Sequence, residues 1–141
     1  VGPLEEAQRL RVAQQIQERV ATFSPFVLGF GAGGSFGGQG GQVYWVSPSH
    51  DSLPSLRELR DGVNAAVRSA GVTPAESGRD WTPHLTLGRS RRPSASLTRH
   101  RLEQCSFAAG VQWTVEEVRV ALSGPGVTAA YPEVSRAPLG P

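Results

Sequence analysis

Lysine and methionine are absent from the 141 residues, and cysteine occurs once, as Cys105. Without lysine there is no Walker A loop, no Schiff-base lysine and no lysine nucleophile. One cysteine excludes an internal disulfide and a cysteine-based zinc site, and Cys105 reads as a small buried hydrophobe rather than a nucleophile. The three histidines, His50, His84 and His100, are dispersed, with neither HxH nor HExxH spacing, so no metal site and no cofactor are expected. A Ser-His-Asp hydrolase is disfavoured: Gly33-Gly34-Ser35-Phe36-Gly37 has the GxSxG spacing, but a strand follows where the nucleophile elbow needs a helix. Apolar runs are too short to span a membrane and no signal peptide opens the chain, which makes a reducing cytoplasm the expected compartment. The net charge of +2 is too small to argue for binding duplex DNA. The chain opens Val1-Gly2-Pro3, without methionine, and residue 1 is expected not to be the biological N-terminus.

The composition is 38% hydrophobic, with Gly 17 and Pro 11, which favours a loop-heavy α+β or all-β domain over a helix bundle. Leu4, Ala7, Leu10, Ala13, Ile16, Val20 and Phe23 recur at three or four residues and predict an amphipathic helix over 4–23. A short strand over 26–30 follows. Residues 29–41 read as a glycine-rich, mobile, hairpin-like connection. Gly29, Gly31 and Gly34 formally match GxGxxG, but a strand over 42–47 follows where a dinucleotide site needs a helix. A second helix is expected from Leu53, with Asp51 or Ser52 as cap, Pro54 in the first turn, Leu53, Leu56, Leu59, Val63, Val67 and Ala70 as its buried stripe, and Gly71 as its end. After a polar loop over 73–80 comes a strand over 81–89, then a basic exposed stretch, a short helix over 97–104, a strand over 117–123 and a last strand over 128–134. The order implies α+β with a largely antiparallel sheet. One domain over 1–136 and a disordered tail over 137–141 complete the expectation.

The most informative stretch is Trp81-Thr82-Pro83-His84-Leu85-Thr86-Leu87-Gly88-Arg89. Strand side chains alternate, so His84 and Thr86 would share a face, with Arg89 nearby. An imidazole moves a proton, a hydroxyl hydrogen-bonds a phosphoryl oxygen and a guanidinium offsets negative charge, a set suited to a phosphate ester.

The chain resembles the 2H phosphoesterases, the superfamily of bacterial RNA 2′,3′-cyclic phosphodiesterases, also called 2′-5′ RNA ligases. Pro83-His84-Leu85-Thr86-Leu87-Gly88-Arg89 is similar to the family's second HxTx motif. Ser24-Pro25-Phe26-Val27-Leu28 and the later Ser35-Phe36 are similar to its PF-x-L strand and following phenylalanine. Val43-Tyr44-Trp45-Val46 with the helix from Leu53 to Gly71, and Val115 to Ser123 with Tyr131, match its order of elements. The family carries two HxT/S motifs in a bilobal fold, and here only His84 fits. His50-Asp51-Ser52 has the spacing but sits beside Pro48 in a loop or cap, and His100 lacks it. The resemblance therefore implies that the first strands and the first motif lie upstream of Val1, and that these 141 residues alone are weakly active or inactive.

What the resemblance implies is a metal-independent phosphodiesterase that opens 2′,3′-cyclic phosphates of RNA or nucleotides, with possible reverse 2′-5′ ligation. One imidazole takes a proton from water and a second gives one to the departing ribose oxygen. His84 would be one carrier, with Thr86 and Arg89 contacting phosphate. The alternatives are a non-catalytic RNA- or nucleotide-binding module, or the same chemistry on another cyclic phosphate or a 2′-5′ oligonucleotide. Residue by residue, the plain readings are a strand histidine satisfied by backbone for His84, a β-former for Thr86 and a solvated strand end for Arg89. His50 and His100 read as surface residues. Tyr44, Trp45 and Trp113 could stack a base, but strand packing is the simpler role. Arg89-Ser90-Arg91-Arg92 either steers RNA or is a solvated loop.

Overall fold

The computed structural model describes residues 4–38, 41–74, 81–90, 111–123 and 131–141. The element order is α1 (Glu6–Val20), β1 (Phe26–Gly38), β2 (Gly41–Pro48), α2 (Leu53–Ser69), β3 (Leu85–Ser90), β4 (Gln112–Val115), β5 (Glu117–Ala121) and β6 (Glu133–Pro138). This is an α+β fold with the antiparallel pairs β1–β2, β2–β3 and β5–β6. The chain divides into two compact units: Val1–Phe26 with Ser55–Arg79 and Val115–Pro141, and Val27–Pro54 with Asp80–Thr114. The expected helix over 97–104, Cys105, His100, Arg91, Arg92 and most of the 73–80 loop lie outside the described residues.

The first unit holds the main core. Val12, Ile16 and Val20, spaced by four, form the buried stripe of α1 and pack with Leu59, Ala66, Val67, Val72, Ala137 and Leu139. Leu10, expected in that stripe, is 61% exposed. At 100° per residue it falls on the flank of the helix away from the Val12–Val20 line. Gln8 Oε1 accepts the Glu5 N–H at 3.2 Å, half of a capping box at the helix start. At the end of α2, Gly71 has φ +78°, the left-handed conformation that suits a glycine stop.

The carboxy-terminal residues correct the sequence expectation. Residues 137–141 are not a disordered tail. Ala137 is fully buried in β6 and Leu139 is 9% exposed in the core. Leu139 N–H donates to Glu116 O and Gly140 N–H to Phe23 O, both at 2.8 Å, and Ser24 Oγ donates to Pro141 O. Among the described residues the last strand runs Glu133–Pro138, four residues past the expected end at 134, and positions 128–130 of the expected strand lie outside the described residues. On the outer face of this sheet Arg119 and Arg136 are direct cross-strand partners. Like charges so placed repel, and Glu117 and Glu133 offset this by pairing with Arg119 and Arg136 respectively. The Arg136 guanidinium hydrogen-bonds Glu133 and holds its carboxyl below the ordinary range. That small contribution is present above the ordinary carboxylate pKa and is lost as pH falls through the lowered one.

In the second unit the described sheet has the order β3-β2-β1-β4. The glycine-rich stretch is not a mobile connection: it is most of β1, paired with β2 from Phe30↔Pro48 to Gly38↔Gly41. Phe30 and Val46 are buried, and the Phe30 ring meets Trp113 with centroids 5.4 Å apart. Ser52, expected as a helix cap, is spent on the strand instead. Its hydroxyl accepts from Gly29 N–H at 2.9 Å, donates to Val27 O at 3.1 Å, and lies 2.7 Å from Ser49 Oγ, which then donates to it. One donor and two acceptor sites are all used. Ser52→Ala would strand the Gly29 amide and the Ser49 hydroxyl. The expected cost is about 1–3 kcal/mol, read as a lower urea midpoint with an unchanged slope. An unchanged midpoint would show the network contributes nothing net.

Candidate active site

The site is built on β3 and its pairing with β2. The register runs Val46↔Leu85, Trp45↔Thr86, Tyr44↔Gly88, Val43↔Arg89 and Gln42↔Ser90, so Leu87 is the extra residue of a bulge. The bulge changes which side chains share a face. Thr86 and Arg89 are three apart and would point to opposite faces of a regular strand. Here their partners are Trp45 and Val43, two apart on β2, so Thr86 and Arg89 lie on one face of the sheet. Gly34 and Phe36 pair with the same two β2 residues from the other side and therefore share that face.

His84 precedes the first β3 residue and joins the same face. Its ring centroid is 5.1 Å from Phe36, edge-on at 81°, and 6.3 Å from Trp45. Phe36 and Trp45 stack at 4.9 Å and 27°. Trp45 fits there because position 34 is glycine: a Cβ would overlap the indole. The indole Nε1 is buried without a hydrogen-bond partner. An unsatisfied buried donor costs about 1–3 kcal/mol, which the ring packing has to offset.

His84 Nδ1 is 2.8 Å from Thr82 O. A carbonyl only accepts, so Nδ1 carries the proton and Nε2 of the neutral ring keeps its lone pair. His84, Thr86 and Arg89 are all exposed. Among the described residues, His84 Nε2, the Thr86 hydroxyl and the Arg89 guanidinium have no hydrogen-bond or ion-pair partner. The arrangement is thus a proton acceptor, a hydroxyl donor and a cation presented on one face with no other described residue consuming them. No three His, Cys, Asp or Glu side chains among the described residues are grouped to hold a metal.

All three residues named from sequence fall on this face, though the strand begins at Leu85 rather than Trp81. Leu85 and Leu87, on either side of Thr86, are 46% and 47% exposed. β3 is the outermost described strand of its sheet, so neither side of it is fully covered. His50 stands in a turn beside Asp51, 3.8 Å away, and is fully exposed. Ser52 Oγ has no free capacity, so His50-Asp51-Ser52 is not a second motif. Sequence reasoning singled out Trp45 as a possible base-stacking residue and Phe36 as part of the family likeness, but set neither against His84. The hairpin register back from Gly38↔Gly41 puts Phe36 opposite Val43 and Gly34 opposite Trp45, and the β2–β3 pairing then sets Trp45 beside Thr86 and Val43 beside Arg89.

Comparison with known proteins bears on this geometry. The model of the 2′-5′ RNA ligase superfamily matches residues 1–124. Among solved structures, TT0787 of Thermus thermophilus is similar, with TM-score 0.64 and 19% identity, over 97% of this chain and 73% of that one. A likeness at that identity concerns the fold. No curated protein sequence matches. No helix among the described residues is long and apolar enough to cross a membrane.

Proposed function

Because the chain belongs to the 2′-5′ RNA ligase superfamily of 2H phosphoesterases, we propose that the full-length protein hydrolyses 2′,3′-cyclic phosphates at the end of RNA or on nucleotides, with His84 as a proton carrier. The observation that carries the reading is the state of His84: Nδ1 is tied to Thr82 O, and Nε2 is left free on the face that also holds Thr86 and Arg89.

Water attacks phosphorus in line with one of the two ribose oxygens. A new P–O bond forms, the opposite P–O bond breaks, and the water proton is ultimately balanced by one gained at the ribose oxygen. His84 Nε2 either removes the first proton or supplies the second. Thr86 donates a hydrogen bond to a non-bridging oxygen, and Arg89 offsets the charge that builds on the equatorial oxygens. The complementary proton carrier belongs on the far side of phosphorus, which is the part the family assigns to its other HxT/S motif.

Thr86→Val tests the phosphate contact, since it keeps the branched shape and the strand preference. The expected result is a fall in kcat of about 10²-fold on a 2′,3′-cyclic nucleotide, the usual scale for losing one oxyanion donor. A kcat within twofold of wild type would mean that the hydroxyl does not touch the reacting phosphate. A panel containing a 2′,3′-cyclic nucleotide, a cyclic phosphate of ADP-ribose and a 2′-5′ oligonucleotide assigns the substrate class. Tight binding with no turnover of any of them would instead favour a binding module.

A further inference from the structure

The edge-on contact of Phe36 with His84 serves a purpose that the phosphate chemistry does not itself explain. An imidazole on an exposed strand end has two side-chain torsions to fix. The hydrogen bond from Nδ1 to Thr82 O constrains the ring from one end only. Rotation about that bond would still swing Nε2 through a wide arc. Phe36 meets the ring at 5.1 Å and 81°, and Phe36 is itself stacked on Trp45 at 4.9 Å. Trp45 lies over Gly34 with no room for any side chain beneath it. Its Nε1 is buried and unpartnered, so the indole is held where it is by packing rather than by a polar anchor.

Resting on the reading of His84 as proton carrier, we propose that Phe36, backed by Trp45 over Gly34, is a positioning residue that locks the His84 imidazole so that Nε2 faces the reacting phosphate. Phe36 remains 40% exposed, which raises a rival role as a stacking surface for the substrate base. The two roles differ in what they predict for a substrate that has no base.

The test compares Phe36→Leu, which keeps apolar bulk without a ring, with Phe36→Tyr, which keeps the ring. Both are assayed on a 2′,3′-cyclic nucleotide and on glycerol 1,2-cyclic phosphate. A positioning role predicts a kcat loss of about 10–10²-fold for Phe36→Leu on both substrates, the scale of a misaligned reacting group, with KM within twofold and recovery in Phe36→Tyr. A raised KM for the nucleotide alone, with kcat kept and the baseless substrate unaffected, would assign Phe36 to the base and overturn the proposal. NMR of the His84 ring protons, identified by their loss in His84→Gln, gives a readout that needs no turnover. The Phe36 share of their ring-current shift should be lost in Phe36→Leu, leaving that of Trp45, and should persist in Phe36→Tyr; unchanged signals in Phe36→Leu overturn the proposal whatever the kinetics. If His84→Gln hydrolyses at the wild-type rate, the reading of His84 as proton carrier fails instead, and the ring-proton shifts still decide whether Phe36 fixes the imidazole.

Discussion

Replacing His84 with alanine is expected to lower kcat for 2′,3′-cyclic nucleotide hydrolysis by about 10²–10⁴-fold, the range for loss of one positioned acid–base group. The loss should fall on kcat with little change in KM, because Nε2 acts on a proton in flight rather than on the bound phosphate. Added free imidazole should restore part of the rate. The substitution should fold normally, since the ring is exposed and its one hydrogen bond is to a local carbonyl two residues away. A rate within a factor of two of wild type would remove His84 from the mechanism and leave the face as a binding surface.

Ending the chain after Arg136 is expected to be the most damaging change to stability. It removes Leu139, whose truncation alone from a core costs about 2–5 kcal/mol. It also removes the Leu139 and Gly140 amide hydrogen bonds, each contributing roughly 1 kcal/mol, together with the β6 residues Ala137 and Pro138 that pair with Val118 and Glu117. A domain of this size has about 5–15 kcal/mol in total, so the shortened chain should melt many degrees lower or fail to accumulate folded. Circular dichroism against temperature checks this. A melting curve unchanged from the full chain would show that residues 137–141 hang free after all.

What the sequence disclosed and what it hid divide by physical cause. Both helices were legible because their apolar residues recur with the helical period, and the start at Leu53 and the stop at Gly71 carried recognisable chemistry. The flank position of Leu10 was hidden because two overlapping stripes are possible in α1, and only packing against Val67 and Leu139 selects the one through Val12. β1 was hidden by composition. Six of its 13 residues are glycine, which have no strand preference, and they are held by the ladder to β2 and by Ser52. The end of the chain was misread for the same reason, since Ala137-Pro138-Leu139-Gly140-Pro141 has the composition of a loop and the environment of a core. At the site, the pairing of His84 with Thr86 followed from simple alternation. The place of Arg89 did not, because alternation sends it to the other face and only the extra residue at Leu87 returns it.

That extra residue also bears on the protein's behaviour in a crowded solution. β3 is the outermost described strand and shows two half-exposed leucines, the kind of flat apolar border along which separate chains zip into aggregates. A bulge interrupts the run of evenly spaced amides that such zipping requires, and it twists the border out of plane. Deleting Leu87 would keep every remaining residue opposite its present neighbour and would still restore the evenly spaced edge that another strand can pair with. The irregularity that puts Thr86 and Arg89 on one face thereby works against self-association along this strand as well.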